Sequence, residues 1–221
     1  MVQRMVPAQL SGVVFTRNPV TGLNETVIEG VPGLGEELVQ RGATPCRWVQ
    51  KWGQWLEQPA DGARWAACAD EVARTAQRIA RKLDRPLDME WAWDGHTLYW
   101  LQMRPITSLA KARVYSNSMA KEMVPGAIKP AVWSINIPMF SELKRRVLAE
   151  ILGAHHLDAT ELVRSFYYHA YFDMNTIGNT LEAFGLPRDG HELMLGIEVP
   201  GADKPKFKPS MRTFMLIPRI L

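Results

Sequence analysis

The segment LDMEWAWDGHTLYWLQMRPIT, residues 87–107, constrains the fold of this chain more than any other stretch. Two runs of alternating apolar and polar residues flank an Asp-Gly pair, which is typical of a β-hairpin. Residues two apart on a strand point to the same face of a sheet. Asp88 and Glu90 therefore share one face of the first strand, and Gln102 and Arg104 share one face of the second. The sequence predicts a small sheet that carries polar groups where a half-buried hairpin normally carries apolar ones.

Whether all these side chains meet on one face depends on the loop between the strands. A two-residue turn at the Asp-Gly pair would place Glu90 and Gln102 on opposite faces. A site that uses both side chains therefore requires an odd-length loop or a bulge. We predict either a three-residue loop over residues 93–95 or a five-residue loop centred on His96.

Two acids, an amide and a guanidinium have the chemistry of a site for a magnesium-bound polyphosphate. Oxygen ligands hold Mg²⁺, and cations counter the charge of the phosphates. Asp88, Glu90 and Gln102 offer oxygens, and Arg104 can grip phosphate oxygens bidentately. The alternative is a surface hairpin with a cross-strand ion pair such as Glu90–Arg104. Spacing alone does not choose between the two interpretations.

Composition is that of an ordinary globular protein. The 221 residues are 47% hydrophobic and 22% charged, which fits one large domain or two small ones. The net charge of +3 suits an anionic ligand, and the absence of a dense Lys/Arg block argues against a nucleic-acid partner. Two cysteines without metal-ligand spacing predict neither a disulfide framework nor a zinc site, so a cytoplasmic location is expected. No apolar run of the length of a membrane span and no signal peptide are visible.

The first part of the chain predicts several strands and one long helix. Apolar, β-branched runs at 2–6, 12–16 and 26–29 predict strands. The glycine-rich loop at 30–39 has two interpretations, plain turn chemistry or backbone N–H groups offered to a phosphate. Apolar residues at three-to-four spacing predict a helix over 61–83. The arginines among its other positions are expected to form a solvated face: Arg74, Arg78 and Arg81.

The pattern changes near residue 108, and we predict two domains, 1–108 and 109–221. The second is expected to be mainly α-helical, so the whole chain is predicted to be α+β. Prolines between residues 114 and 140 argue against a long helix there. Helices are predicted over 140–152 and over most of 158–180.

Three segments, in order, resemble the phosphoenolpyruvate synthase and pyruvate phosphate dikinase family, which includes rifampicin phosphotransferases. Residues 2–22 (VQRMVPAQLSGVVFTRNPVTG) resemble its VQxMV…SGVxFTxNPxTG pattern, and residues 30–45 (GVPGLGEELVQRGATP) resemble its GLGE segment. Residues 88–107 resemble the D-[IM]-E-W and L-Q-x-R-P-I-T end of the nucleotide-binding domain. A looser resemblance covers residues 116–134, which are similar to a segment that follows this domain in many members.

The resemblance implies the C-terminal part of an ATP-grasp domain, a mostly antiparallel sheet with helices, with ATP and Mg²⁺ as ligands. The residues implied to bind ATP are Gln3, Met5, Glu36, Glu90, Gln102 and Arg104. The residues implied to hold the metal are Asp88, Glu90 and Gln102. For Arg17, two roles stay open, fixing a turn or reaching a phosphate.

Family members transfer phosphate from ATP to a histidine in a T-x-G-G-x-x-x-H loop, and from there to pyruvate or another small acceptor. None of the five histidines lies in such a loop, so no catalytic residue is expected in this chain. We expect part of an ATP-dependent phosphotransferase, with a missing N-terminal half or self-association completing it. Two alternatives stay open: part of a rifampicin phosphotransferase, whose substrate is a drug, or a non-catalytic remnant that binds a nucleotide or a partner protein. Aromatic residues beyond 109 fit either a drug pocket or an ordinary core.

Overall fold

The structure is a computed structural model, and it describes residues 5–34, 46–110, 113–152, 162–195, 197, 199–202 and 213. The chain divides into two compact units. The first comprises residues 1–112 with 199–204, and the second comprises residues 113–198 with 205–221.

The first unit is built on a six-stranded sheet. Its strands are β1 (Leu10–Phe15), β2 (Thr26–Pro32), β3 (Cys46–Lys51), β4 (Gln54–Glu57), β5 (Leu87–Trp93) and β6 (Leu98–Pro105). They lie in the order β4-β3-β2-β1-β5-β6, and every neighbouring pair is antiparallel. The hairpin predicted over residues 87–107 is confirmed as β5 and β6, and it forms one edge of the sheet.

One helix covers one face of this sheet. A 3₁₀ turn, Gly62–Trp65, leads into α1 (Ala66–Leu83), so the helix predicted over 61–83 is confirmed. Its buried side packs against apolar residues of the strands, because its alanines and Val72 recur at helical spacing. The Gln77 amide donates to the carbonyl oxygen of Thr16 at 2.7 Å and to Oγ1 of Thr26 at 2.8 Å. These bonds fix the helix to the ends of β1 and β2.

Strands β1 and β2 approach each other so closely at Gly12 that no side chain fits there. A Cβ atom at Gly12 would lie 1.9 Å from the carbonyl oxygen of Glu29. The Gly12 of the GVVFT run is thus required by the sheet itself.

The second unit combines a small sheet with helices. Its strands are β7 (Tyr115–Ser116), β8 (Val163–Phe166) and β9 (His169–Asp173), in the antiparallel order β7-β9-β8. Its helices are α2 (Ala120–Met123), α3 (Pro130–Leu152), α4 (Met174–Ala183) and α5 (Gly190–Met194). Described core residues include Ala120, Ile128, Val163 and Ala170. None of the described helices is long and apolar enough to cross a membrane.

The helix expected over most of 158–180 is wrong, because β8 and β9 occupy much of this range. Aromatic residues favour strands, and here they follow one another too densely to define a helical face. The two strands meet at a two-residue turn in which Tyr167 and Tyr168 both have positive φ, 51° and 64°. Positive φ at both central residues of a turn normally requires Asn or Gly, so the Tyr-Tyr sequence does not predict this turn.

The expectation that no long helix runs through residues 114–140 is also wrong. Helix α3 begins at Pro130, where a missing N–H costs little, and continues through Pro138. An interior proline is costly. Trp133 and Phe140, on either side of Pro138, line a pocket shared with residues of β8 and β9. Tertiary packing therefore holds the helix together across the proline.

Candidate functional site

The register of β5 and β6 brings the four polar side chains of the hairpin onto one face. Glu90 lies directly opposite Gln102, and Asp88 lies directly opposite Arg104. The register then shifts by one residue, because Trp91 pairs with Trp100. The extra residue is Leu101, which forms a β-bulge in β6. The predicted shared face is confirmed, and the bulge produces it.

The predicted loop lengths are wrong, because four residues, Asp94 to Thr97, join the strands. The Asp94 carboxylate accepts hydrogen bonds from the backbone N–H groups of His96 at 2.9 Å and Thr97 at 2.7 Å, and from the Tyr99 hydroxyl at 3.0 Å. The bonds from Thr97 and His96 are the main reason why the pKa of Asp94 lies below its usual value. These hydrogen bonds close the four-residue loop. A loop of even length alone would leave Gln102 and Glu90 on opposite faces, so the bulge at Leu101 is what brings the two side chains onto one face.

The two faces of the hairpin have different environments. On the side toward α1, Leu87, Met89 and Trp91 are buried in the core, and Trp100 packs against them. On the opposite side lie the acids of β5 and the amide and guanidinium of β6. The apolar half of the pattern thus anchors the hairpin, while the polar half faces away from the helix.

Arg104 and Asp88 form an ion pair across the two strands of the hairpin. Arg104 Nε donates to Asp88 Oδ2 at 2.8 Å, and this bond is the main cause that raises the pKa of Arg104. The Asp88 side chain is 9% exposed, whereas that of Arg104 is 61% exposed. Among the described residues the structure gives the Nη groups of Arg104 no partner. The cross-strand pair considered from the sequence was Glu90–Arg104, and the geometry instead makes it Asp88–Arg104.

The same face of the sheet continues across β1 and β2. Val13 of β1 pairs with Glu90 of β5 on one side and with Glu29 of β2 on the other. Glu29 in turn pairs with Arg47 of β3. Arg47 Nε is 3.9 Å from Glu29 Oε1, and Arg47 also bonds Glu57. Sequence reasoning did not place Glu29 and Arg47 here, because the order of strands in the sheet is not encoded in local alternation.

Three further residues were predicted to bind ATP: Gln3, Met5 and Glu36. Gln3 and Glu36 are outside the described residues. Met5 is described, and its side chain is 68% exposed. The segment after it reaches the end of β5, where the Gln9 N–H donates to the Trp93 carbonyl at 2.7 Å.

Arg17 has a contact that favours one of its two predicted roles. Its Nη1 donates to the carbonyl oxygen of Gly22 at 3.0 Å, across the turn that follows β1. The side chain of Asn18 caps the same turn, accepting from the N–H groups of Val20 and Thr21. Arg17 therefore takes part in fixing this turn.

The donor set at the hairpin fits a divalent cation. Facing residues of neighbouring strands have Cβ atoms about 5 Å apart, so the Glu90 carboxylate and the Gln102 amide oxygen can converge on one ion. Asp88 is already engaged by Arg104. No group of three or more His, Cys, Asp or Glu side chains in the described ranges is arranged to hold a metal. A site built on Glu90 and Gln102 would leave several positions to water or to phosphate oxygens, as Mg²⁺ prefers.

The comparison with protein families places the chain in a class of nucleotide-binding domains. The AMP/ATP-binding domain of pyruvate phosphate dikinase matches residues 1–58 and 57–123, which together make up more than half of the chain. The chain belongs to this family.

Curated relatives then specify the kind of protein that carries such a domain. The chain is 30% identical over 155 residues to a probable phosphoenolpyruvate synthase of Archaeoglobus fulgidus, covering 58% of this chain and 21% of the relative. It is 33% identical over 146 residues to the phosphoenolpyruvate synthase of Pyrococcus furiosus, covering 49% and 18%. It is 27% identical over 180 residues to a rifampicin phosphotransferase of Streptomyces sp, covering 63% and 21%. The chain thus spans about a fifth of the length of these relatives. An ATP-binding domain of the phosphotransferase type is the shared feature.

Proposed function

We propose that the hairpin face of β5 and β6 binds Mg·ATP as part of an ATP-grasp domain in a phosphoenolpyruvate synthase-like phosphotransferase. The observation that carries this proposal is the register, with Glu90 opposite Gln102 and Asp88 opposite Arg104. Bulges are common on edge strands, and the position of this one turns the Gln102 amide toward the Glu90 carboxylate. Membership of the AMP/ATP-binding family supports the same assignment.

Each polar residue has a role that its contacts make specific. Asp88 holds Arg104 through Nε, so the two Nη groups are left to donate to phosphate oxygens. Glu90 and Gln102 would hold Mg²⁺, which neutralises phosphate charge when it is bound. Gln3 and Met5 are proposed to lie beside the adenine, and Glu36 to contribute a further contact.

The reaction of the longer protein is proposed to convert ATP, pyruvate and water into phosphoenolpyruvate, AMP and phosphate. A phosphohistidine that this chain does not supply would carry the phosphoryl group. A cytoplasmic enzyme is the fitting context. A rifampicin phosphotransferase is the second candidate, because the alignment with that relative covers 63% of the chain, more than the 49–58% covered by the synthases quoted above.

Titration calorimetry with Mg·ATP tests the site. Arg104→Ala should weaken binding at least about tenfold, since a hydrogen bond to a charged group contributes roughly 1.5–3 kcal/mol. Arg145→Ala is a matched control, because the Arg145 side chain is also 61% exposed and pairs with a single carboxylate, that of Glu142. Equal affinities of wild type and Arg104→Ala would overturn the assignment. If the isolated chain does not bind, the same pair of variants is compared in a longer protein that contains it.

The parent activity is tested separately in such a longer protein. AMP release that depends on pyruvate would identify a synthase, and phosphate release that depends on rifampicin would identify the drug-modifying enzyme. ATP binding with neither activity would point to the non-catalytic alternative. These outcomes are independent of whether Arg104 contacts the phosphates.

A further inference from the structure

A cationic face runs along the second half of α1, on the side away from the sheet. It consists of exposed side chains on the helix and one two residues beyond its end: Arg74, Arg78, Arg81, Lys82 and Arg85. In the part of the chain that the structure describes, no carboxylate forms an ion pair with any of them. Arg78 follows Arg74 by four residues, and Arg81 and Lys82 follow Arg78 by three and four. These four residues therefore form one row about 12 Å long.

Most of the basic character of the chain is concentrated here. Residues 74–85 contain five Lys or Arg and one acid, Asp84, which gives a net charge of +4. The whole chain has 26 Lys and Arg against 23 Asp and Glu, a net charge of +3. The remaining residues therefore carry 21 cations and 22 acids, a net charge of −1. The cationic face is a local feature of one helix.

The row does not stabilise the helix that carries it. Arg74 with Arg78, and Arg78 with Lys82, are like-charged pairs at i,i+4, which destabilise a helix. The helix dipole favours cations only within the last turn, so it accounts for Arg81 and Lys82 alone. Two acids lie one turn before Arg74. Asp70 accepts a hydrogen bond from Trp55 Nε1 at 3.1 Å, and Glu71, at i,i+3, forms no ion pair with Arg74 in the described part of the chain.

Helix α3 shows how this chain compensates arginines on an exposed helix. Glu142 Oε1 lies 2.7 Å from Arg145 Nη2 and 2.7 Å from Arg146 Nε, at i,i+3 and i,i+4. The first of these bonds is the main cause that lowers the pKa of Glu142 to about 2. No such acid is interspersed between the cations of α1. The contrast indicates that the acids complementary to this face come from outside the described part of this unit.

We propose that the cationic face docks an acidic α-helix of a partner protein or domain. Carboxylates at helical spacing on such a partner repeat with the same pitch as the arginines, so several pairs form in register. Arginine binds carboxylates through two parallel hydrogen bonds, which lysine does not do. Leu83 is 39% exposed at the end of the row and offers an apolar contact that a helix can bury. Duplex DNA fits less well, because its binding draws on many phosphate contacts and the rest of this chain has a net charge of −1.

Fluorescence anisotropy with two synthetic peptides tests the proposal. One peptide carries glutamates in a single stripe on an alanine-rich helix, and its isomer has the same composition with the glutamates spread around the helix. The striped peptide should bind at least about tenfold more tightly than its isomer. Arg74→Glu with Arg78→Glu should abolish that difference, and circular dichroism should show an intact helix, because a glutamate at position 78 can pair with Lys82.

The control is Arg145→Glu with Arg146→Glu, which reverses two paired arginines on the other unit and should leave peptide binding unchanged. Equal affinity for the two peptides overturns the proposal. So does tighter binding of a 20-base-pair DNA duplex or of phosphatidylserine vesicles than of the striped peptide. If the double charge reversal fails to fold, Arg78→Gln replaces it, and unchanged selectivity in that variant counts against docking on this face.

Discussion

Deletion of Leu101 should preserve the proposed nucleotide site, whereas deletion of Met103 should destroy it. Both deletions remove one residue from β6 and leave a ladder without a bulge. Without Leu101, Gln102 still lies opposite Glu90, because Leu101 is the residue that the register skips. Without Met103, a regular ladder places Leu101 opposite Glu90 and turns Gln102 toward the face covered by α1. The two variants differ in which face receives the amide.

The expected costs can be worked out from burial and hydrogen bonding. Leu101 is 40% exposed and Met103 is 48% exposed, so each deletion removes a similar apolar contribution, about 1–2 kcal/mol of unfolding free energy. Loss of the Gln102 amide from the site removes one contact to a charged ligand, roughly 1.5–3 kcal/mol. That difference corresponds to roughly 10- to 150-fold weaker binding of Mg·ATP by the Met103 deletion alone.

Calorimetric titration, together with thermal denaturation of each variant, measures both quantities. Similar melting temperatures with unequal affinities are the expected result. A folded Leu101 deletion that has lost binding would refute the reasoning, and so would a Met103 deletion that binds like the wild type. Either result would mean that the bulge does not determine on which face of the sheet Gln102 lies.

Three further predictions concern stability. Gly12→Ala should cost at least about 3 kcal/mol or prevent folding, because its Cβ would lie 1.9 Å from the Glu29 carbonyl oxygen, and a melting temperature close to that of the wild type would contradict this. The pKa of Asp94 is lowered, so its contribution to stability is complete above the usual aspartate pKa and is lost as the pH falls through the lowered value. The melting temperature of Asp94→Asn should therefore depend less on pH between pH 2 and 5 than that of the wild type. Replacing the turn residues by Tyr167→Asn and Tyr168→Gly should raise the unfolding free energy by about 1–2 kcal/mol in a denaturant titration, because both positions have positive φ.

Local patterns predicted the elements whose residues obey one period. The helix over 61–83 follows from apolar residues at three-to-four spacing, and the hairpin over 87–107 follows from alternation. Patterns failed where the decisive contact is distant in sequence. Pro138 reads as a helix breaker until the packing of its helix is known, and the dense aromatics of 163–173 define no single face.

The site shows the same division. Asp88, Glu90, Gln102 and Arg104 were predicted from side-chain chemistry and resemblance, and the shared face followed from what a metal–phosphate site requires. The loop length did not follow, since a bulge and an odd loop satisfy the same requirement. The partner of Arg104 was also not predictable, because both acids of β5 lie within reach of an arginine on β6 and only the register selects Asp88.

The bulge at Leu101 has a practical consequence for biosensor design. The loop from Asp94 to Thr97 is closed by its own hydrogen bonds, and the bulge stands between this tip and Gln102. The loop and the proposed site are thus separate parts of one hairpin. A cysteine introduced by His96→Cys would keep the backbone N–H groups that Asp94 binds, so an environment-sensitive fluorophore attached to it would replace no residue of the proposed site. A change in its emission on addition of Mg·ATP would report nucleotide occupancy.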